Sequence, residues 1–116
     1  KHFIYKEIDV VKDNLKKLKL KNTIVSKCKF PNNLSPSFKK KKFKLCHLDV
    51  NTYKSTKNAF QFIKDKMIKG GVIVFDDYGI HTVDSIKKFV DEISKKYKKD
   101  YSFIYNYMGQ CILIKK

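Results

Sequence analysis

The apolar residues in the first part of the chain follow a period that predicts one helix and little other regular structure. Between residues 4 and 19 they recur at steps of three or four, which is typical of an amphipathic helix. The segment 22–27, NTIVSK, predicts a short strand. The segment 30–42 contains both prolines and a run of four lysines, and it predicts a loop with at most a short helix.

The pattern after residue 42 predicts alternating strands and helices. The apolar residues of 43–50 predict a strand that ends at Asp49, and those of 55–68 predict a helix capped by Ser55 or Thr56. Gly70 and Gly71 are expected to stop that helix and turn the chain. The continuous apolar run that follows, VIVF, predicts a strand buried on both faces.

The remaining pattern predicts one more helix and a hairpin. Apolar residues at helical spacing cover 83–97, with Thr82 as the cap. The segments 101–107 and 111–115 predict two strands joined by a tight antiparallel turn. Together these elements predict an α/β protein with a mostly parallel sheet, flanking helices and a C-terminal hairpin, and residues 1–116 show no domain boundary.

Three aspartates follow the two strands that are predicted to be parallel. Parallel strands joined by one crossover helix end at the same edge of a sheet, so Asp49 and the pair Asp76–Asp77 are expected to meet there. Carboxylate oxygens at one point suit Mg²⁺, Mn²⁺ or Ca²⁺. The alternative is structural: Asp49 and Asp76 cap helices or turns, and Asp77 faces solvent.

The chain is strongly positive, and lysine is its only basic residue type apart from histidine. The formal net charge is +16, and all 27 basic residues are lysines. An A/T-biased coding sequence accounts for such lysine excess, and a functional basic surface is the alternative. A nucleic-acid-binding module is therefore a second functional hypothesis, supported by the charge and by the aromatic-rich strand at 101–107. The absence of arginine and the spread of lysines speak against nucleic acid as a partner.

Composition limits the environment of the protein. Apolar residues make up 42% of the chain, which is enough for a globular core, and no apolar run approaches a membrane span. A membrane partner is therefore not expected. Cys28, Cys46 and Cys111 lack the spacing of a zinc site or a disulfide framework. They predict reduced thiols in a cytoplasmic protein.

Three motifs, in this order, resemble the macrocin O-methyltransferase family of class I S-adenosylmethionine-dependent methyltransferases. They are HLDVNTYKSTKNAF, GGVIVFDDYG and, near the end, GQCILIK. The resemblance extends from about residue 43 to residue 116, and it is weaker over 22–34. It implies a Rossmann-like sheet and methyl transfer to the hydroxyl of a small molecule such as a sugar.

The resemblance also implies ligands and site residues. Mg²⁺ would be held by Asp49, Asp76 and Asp77, and it would orient the acceptor hydroxyl and lower its pKa. S-adenosylmethionine would lie beside Asp49 and beside the segment Cys28, Lys29 and Phe30, which follows the strand that leads to the adenine pocket.

Four further side chains have two interpretations each. His81 is a candidate general base, and packing at the start of a helix is the alternative. Tyr53 and Tyr78 are candidates for lining the acceptor pocket, and ordinary half-buried packing is the alternative. His47 lies inside a strand and is expected in the core rather than in catalysis.

The sequence departs from the family pattern at several positions. Asn51 stands at the second position of the D-x-D segment, Cys28 replaces a glycine, and the chain contains no G-x-G cofactor loop. The chain is therefore expected to be a C-terminal portion that lacks the cofactor-binding strands and is inactive by itself. The strand at 43–49 would then have an exposed edge or pair directly with 22–27, so a dimer or a rearranged sheet is expected. A methyltransferase remnant that serves only as an interaction surface is a third hypothesis.

Overall fold

The computed structural model of the protein describes residues 8–80 and 84–116, which fall into two compact units. The first unit extends to Leu34, and its regular structure is one helix, α1, Ile8–Lys17. The segment 22–27 is not a strand, so that prediction is wrong. Within the described residues no strand pairs with this segment, and Ile24 is 81% exposed.

The second unit, 35–116, contains a four-stranded sheet and three helices. After the short helix α2, Pro36–Lys39, the elements are β1, Phe43–Leu48; α3, Tyr53–Ile63; β2, Met67–Phe75; α4, Asp84–Lys96; β3, Tyr101–Tyr105; and β4, Cys111–Lys115. The strand order is β1-β2-β4-β3. β1 and β2 are parallel, while β4 is antiparallel to both β2 and β3. The predicted α/β class with a C-terminal hairpin is confirmed. With one parallel and two antiparallel pairings in the described chain, the sheet is mixed rather than mostly parallel.

Helix α3 begins earlier than its sequence pattern predicts. Its cap is Thr52, which has an extended backbone and whose hydroxyl accepts a hydrogen bond from the amide of Ser55 at 3.2 Å. Ser55 and Thr56 lie inside the helix, so the prediction that one of them is the cap is wrong. Thr56 instead donates its hydroxyl to the carbonyl of Thr52 at 2.8 Å, one turn back.

Gly70 and Gly71 lie within β2 rather than at the end of a helix. The pairing with β1 shifts between Phe43 and Leu45, so the glycines occupy a bulge. Gly70 has a φ of 73°, and a Cβ on Gly71 would lie 2.8 Å from the carbonyl oxygen of Ile68. The bulge therefore requires glycine for reasons of conformation and space, which a local hydrophobicity pattern does not reveal.

The core lies between the sheet and helices α3 and α4. Phe60 of α3, Phe75 of β2 and Phe89 of α4 contact one another with ring centroids 5.8 to 6.2 Å apart. Along β2, Ile73 and Phe75 are fully buried, whereas Val72 and Val74 are half-buried. The expectation that this strand is buried on both faces is therefore wrong.

β1 lies at one edge of the sheet, and within the described residues no strand pairs with its outer side. Leu45, in the middle of this strand, is 65% exposed. Of the two arrangements that the sequence left open, the described chain therefore shows the exposed edge. No helix in the described parts of the chain is long and apolar enough to cross a membrane.

Candidate active site at the carboxyl edge of the sheet

The fold brings the aspartates that follow β1 and β2 to the same edge of the sheet. β1 ends at Leu48 and β2 at Phe75, and these two residues are partners in the parallel ladder. The amide of Asp76 donates to the carbonyl of Leu48 at 3.0 Å, which extends the pairing by one step. The chain places Asp49 and Asp76 side by side in this way, as the order of strand, helix and strand predicts.

Asp77 marks the point where the strand becomes a loop. Its φ is 58°, a left-handed conformation that ends the alternation of side chains along β2. Loss of solvent on burial raises the pKa of the Asp77 carboxyl, and the negative charges of Asp76 and Asp49 raise it further. The three carboxylates are thus close enough to repel one another.

Each oxygen of the Asp76 carboxylate faces a different neighbour. Oδ1 accepts a hydrogen bond from Nε2 of Gln110 at 3.3 Å, and Oδ2 lies 3.8 Å from Nε2 of His47. The His47 side chain is 50% exposed, so the expectation that it lies in the core is wrong. β1 is an edge strand, and His47 is on the face that the helices α3 and α4 do not cover.

The hairpin between β3 and β4 packs tightly against the loop 76–79, which we call the acid loop. The amide of Gly79 donates to the carbonyl of Gly109 at 2.8 Å, and a Cβ on Gly79 would lie 2.8 Å from the Cα of Gly109. Asn106 fixes the turn, because its Oδ1 accepts from the amides of Met108 and Gln110 at 3.0 and 2.9 Å. Its Nδ2 donates to Oε1 of Gln110 at 2.9 Å. Both ends of the Gln110 amide are therefore held.

Tyr78 and Tyr53 bind helix α4 through their hydroxyl groups. Tyr78 donates to Oδ1 of Asp91 at 2.9 Å and stacks on Tyr105 with ring centroids 4.8 Å apart. Tyr53 donates to Glu92, and its ring meets that of Phe89 edge-on. Burial of the Tyr78 phenol, together with its bond to Asp91, raises its pKa far above the ordinary value. Both hydroxyls are neutral donors at physiological pH.

Comparison with known proteins identifies the family to which the chain belongs. A family model described as macrocin O-methyltransferase matches residues 2–104. The chain belongs to the macrocin O-methyltransferase family. No curated protein matches it in a search by sequence.

Two solved structures share the fold of this macrocin O-methyltransferase family member. One is the O-methyltransferase NovP, with 22% identity and a TM-score of 0.55 over 63% of this chain and 29% of that chain. The other is described as a putative caffeoyl-CoA O-methyltransferase from Staphylococcus aureus, with 17% identity and a TM-score of 0.72 over 94% of this chain and 59% of that chain. The chain thus spans less than two thirds of the length of either protein.

The carboxylates at the carboxyl edge are suitable ligands for a hard cation, but these side chains do not converge on one point. Asp49, Asp76 and Asp77 offer carboxylate oxygens, which are the ligands that Mg²⁺ prefers, and their repulsion would be relieved by a cation. Over residues 8–80 and 84–116, however, no group of three or more His, Cys, Asp or Glu side chains is placed to hold a metal ion. Binding of Mg²⁺ is therefore a matter for proposal.

The other predicted site residues are distributed over the two units. Cys28, Lys29 and Phe30 belong to the first unit, where Cys28 is half-buried, while Asp49 belongs to the second. His81, the candidate general base, lies outside the described residues. The structure brings Asp49, Asp76, Asp77 and Tyr78 to one region of the second unit.

Sequence reasoning missed two neighbours of the acid pair. Gln110 and His47 both approach Asp76, and neither was expected to do so. The signal for Gln110 was its place in GQCILIK, one of the three segments on which the resemblance was based, directly before β4. The signal for His47 was its position two residues before Asp49, because alternate residues of a strand share a face.

Proposed function

We propose that the protein carrying this chain is an S-adenosylmethionine-dependent O-methyltransferase that acts on a hydroxyl of a small molecule, with sugars as the acceptor class. The observation that carries this proposal is the meeting of Asp49 with Asp76–Asp77 at the carboxyl edge of the sheet in a macrocin O-methyltransferase family member. Ligands of open α/β sheets bind at this edge.

We propose Asp49, in the second unit, and Cys28, Lys29 and Phe30, in the first unit, each as cofactor-binding residues. The support for Asp49 is its match to the family pattern, and the support for the other three residues is their location after the segment that corresponds to the strand leading to the adenine pocket in the family. The rate gain would come largely from holding the methyl donor and the acceptor hydroxyl in line. Because this chain contains no G-x-G loop, we propose that it binds the cofactor weakly and is inactive by itself.

The acceptor side of the proposed site is built from residues that follow β1 and β2. His81 would accept the proton of the acceptor hydroxyl, and Tyr53 and Tyr78 would line the pocket. Both phenols are already bound to α4, so we propose that they present their rings rather than their hydroxyls to the acceptor. An aromatic wall is a common surface for packing the apolar face of a sugar ring.

Asp49, Asp76 and Asp77 would hold Mg²⁺ in this proposal. A bound Mg²⁺ orients a hydroxyl and lowers its pKa. The support is the hard oxygen donor set, together with the burial and the negative charges of Asp76 and Asp49 that raise the pKa of Asp77. We also propose a cytoplasmic location, supported by Cys28, Cys46 and Cys111, all of which are free thiols.

Uptake of Mn²⁺, followed by electron paramagnetic resonance, tests the metal part of the proposal on this chain. Asp76→Asn is expected to weaken Mn²⁺ binding by roughly tenfold or more. Asp65→Asn is the matched control, because Asp65 is an exposed acid that follows α3 at the opposite edge of the sheet. Equal affinity in all three proteins would refute ligation by the acid pair.

Isothermal titration with S-adenosylmethionine tests the cofactor part. The experiment compares this chain with a longer native polypeptide that contains it. Binding by the longer polypeptide, together with transfer of a labelled methyl group to a sugar hydroxyl, would support the proposal. If neither polypeptide binds the cofactor, the methyltransferase activity is refuted, and a remnant with an interaction role becomes the better interpretation.

A further inference from the structure

The end of the sheet opposite the acid loop is lined with lysines. The strands β1 and β2 begin there, β3 also begins there, and β4 ends there. We call this surface the basic edge and define it by the lysines that precede or follow these strands: Lys39, Lys40, Lys41, Lys42, Lys64, Lys66, Lys95, Lys96, Lys98, Lys99, Lys115 and Lys116. Within the described chain, the acids at this edge are Asp65 and Asp100.

Contacts between the elements show that these lysines share one surface. Nζ of Lys66 donates to the carbonyl of Lys39 at 2.6 Å, and Nζ of Lys42 donates to the carbonyl of Asp65 at 3.0 Å. On the other side of the sheet, Nζ of Lys116 donates to the carbonyl of Lys98 at 2.8 Å. Of the four segments that supply the basic edge, 39–42 therefore contacts 64–66, and 95–99 contacts 115–116.

The architecture explains why the lysines collect there. Helices α2, α3 and α4 all end at this edge, with their last residues at Lys39, Ile63 and Lys96. The carbonyl ends of helices carry partial negative charge, which favours lysine in the last turn and just after it. The chain thus has the carboxylates of the acid loop at one end of the sheet and a dense group of lysines at the other.

The separation is wide enough for the two edges to act independently. β1 has six residues, which corresponds to about 20 Å at the usual rise of a strand. The Debye length at 0.1 M salt is about 10 Å, so the acid loop does little to screen the basic edge. A dense group of ammonium groups with few acids nearby attracts a polyanion and releases its counterions.

We propose that the basic edge binds the phosphate backbone of single-stranded nucleic acid without sequence preference. Lysine supplies point charges that fit phosphates, and the chain has no arginine fork with which to read bases. The aromatic rings at this edge lie under lysines: Lys115 is 4.7 Å from the ring centroid of Tyr101, and Lys66 is 4.9 Å from that of Phe62. Backbone contact rather than base stacking is therefore expected. A flexible strand can follow the irregular edge formed by helix and strand ends.

Fluorescence anisotropy with a labelled oligouridylate of about 15 nucleotides tests the proposal, at several salt concentrations. The variant Lys40→Gln/Lys41→Gln/Lys99→Gln removes three charges from exposed positions of the basic edge. The matched control, Lys54→Gln/Lys57→Gln/Lys88→Gln, removes the same charge from exposed positions near the opposite edge. Circular dichroism and thermal unfolding check that both variants fold.

The basic-edge variant is expected to lose roughly tenfold in affinity, and the slope of log K against log salt to fall by about 2, since each phosphate contact contributes about 0.7. The control is expected to lose less than about twofold, because its lysines are not part of the basic edge and would not contact the bound phosphates. Equal losses in the two variants would show attraction by net charge alone and would overturn the proposal. So would no binding by the unmodified chain, or tighter binding to phosphatidylserine vesicles than to the oligonucleotide.

Discussion

At the scale of the residue, Asp77 combines a left-handed backbone conformation with an electrostatic environment that disfavours an ionised carboxylate. Its φ of 58° lies in the left-handed region, which few residues other than glycine, asparagine and aspartate adopt readily. Burial and the charges of Asp76 and Asp49 raise its pKa. A residue that opposes folding in this way is typical of a site selected for function rather than stability.

Asp77→Asn is expected to stabilise the chain by about 0.5 kcal/mol at pH 7, the range of a partly exposed charge pair. Because the pKa of Asp77 is raised on folding, its ionisation destabilises the folded chain as the pH rises through that pKa. The gain from Asp77→Asn is therefore expected at pH 7 and should disappear below about pH 4. Urea unfolding at the two pH values measures it. A gain of the same size at both values would assign the effect to backbone conformation instead.

At the scale of the element, the β3–β4 hairpin holds the acid loop in place. Three contacts join them: the approach of Gly79 to Gly109, the hydrogen bond from Gln110 to Asp76, and the stacking of Tyr78 on Tyr105. The orientation of the Asp76 carboxylate therefore depends on a segment more than thirty residues further along the chain.

Gly79→Ala is expected to destabilise the chain by about 1 to 3 kcal/mol, because the new methyl group would overlap Gly109 in a tightly packed contact. Denaturant unfolding measures the change in free energy. Met108→Ala, in the hairpin turn that faces Gly79, is the control, since Met108 is 81% exposed and its truncation should cost less than about 0.5 kcal/mol. A value for Gly79→Ala as small as that of the control would show that the loop and the hairpin separate easily.

The elements show which features a sequence can predict and which it cannot. The meeting of Asp49 with Asp76–Asp77 was predictable, because the order strand, helix, strand fixes where parallel strands end. The bulge at Gly70–Gly71 was not, since two glycines after a helical pattern favour a helix stop just as well. The contact of Gln110 with Asp76 depends on the register of β4 against β2, which no local pattern determines. The segment 22–27 resembles a strand but lacks a partner.

At the scale of the whole molecule, the sheet of the second unit has two outer strands, β1 and β3. In the described chain, no strand pairs with the outer side of either one. β1 exposes Leu45 and β3 exposes Ile104, at 65% and 47%. The net charge of +16 opposes association between copies. Self-association through an edge is therefore expected to depend on ionic strength.

We predict that the chain forms dimers through β1 and that the dimer fraction rises as salt screens the lysines. Light scattering at low and high ionic strength measures the mass. Leu45→Lys should keep the chain monomeric at both, whereas Ile104→Lys, a matched change on the other edge strand, should not. A monomer at all salt concentrations, or equal effects of the two variants, would contradict pairing through β1.

The order of the strands also predicts which backbone amides of the sheet exchange with solvent slowly and which exchange fast. β2 and β4 are each flanked by a strand on both sides, while β1 and β3 are flanked on one side within the described chain. Amide hydrogens of the central strands exchange with solvent only when a neighbour detaches, whereas those of the outer strands exchange through smaller fluctuations. The acid loop continues from β2, a central strand, and Asp49 continues from β1, an outer one. Asp76 and Asp77 thus follow a central strand whose amides are expected to exchange slowly, and Asp49 follows an outer strand whose amides are expected to exchange faster.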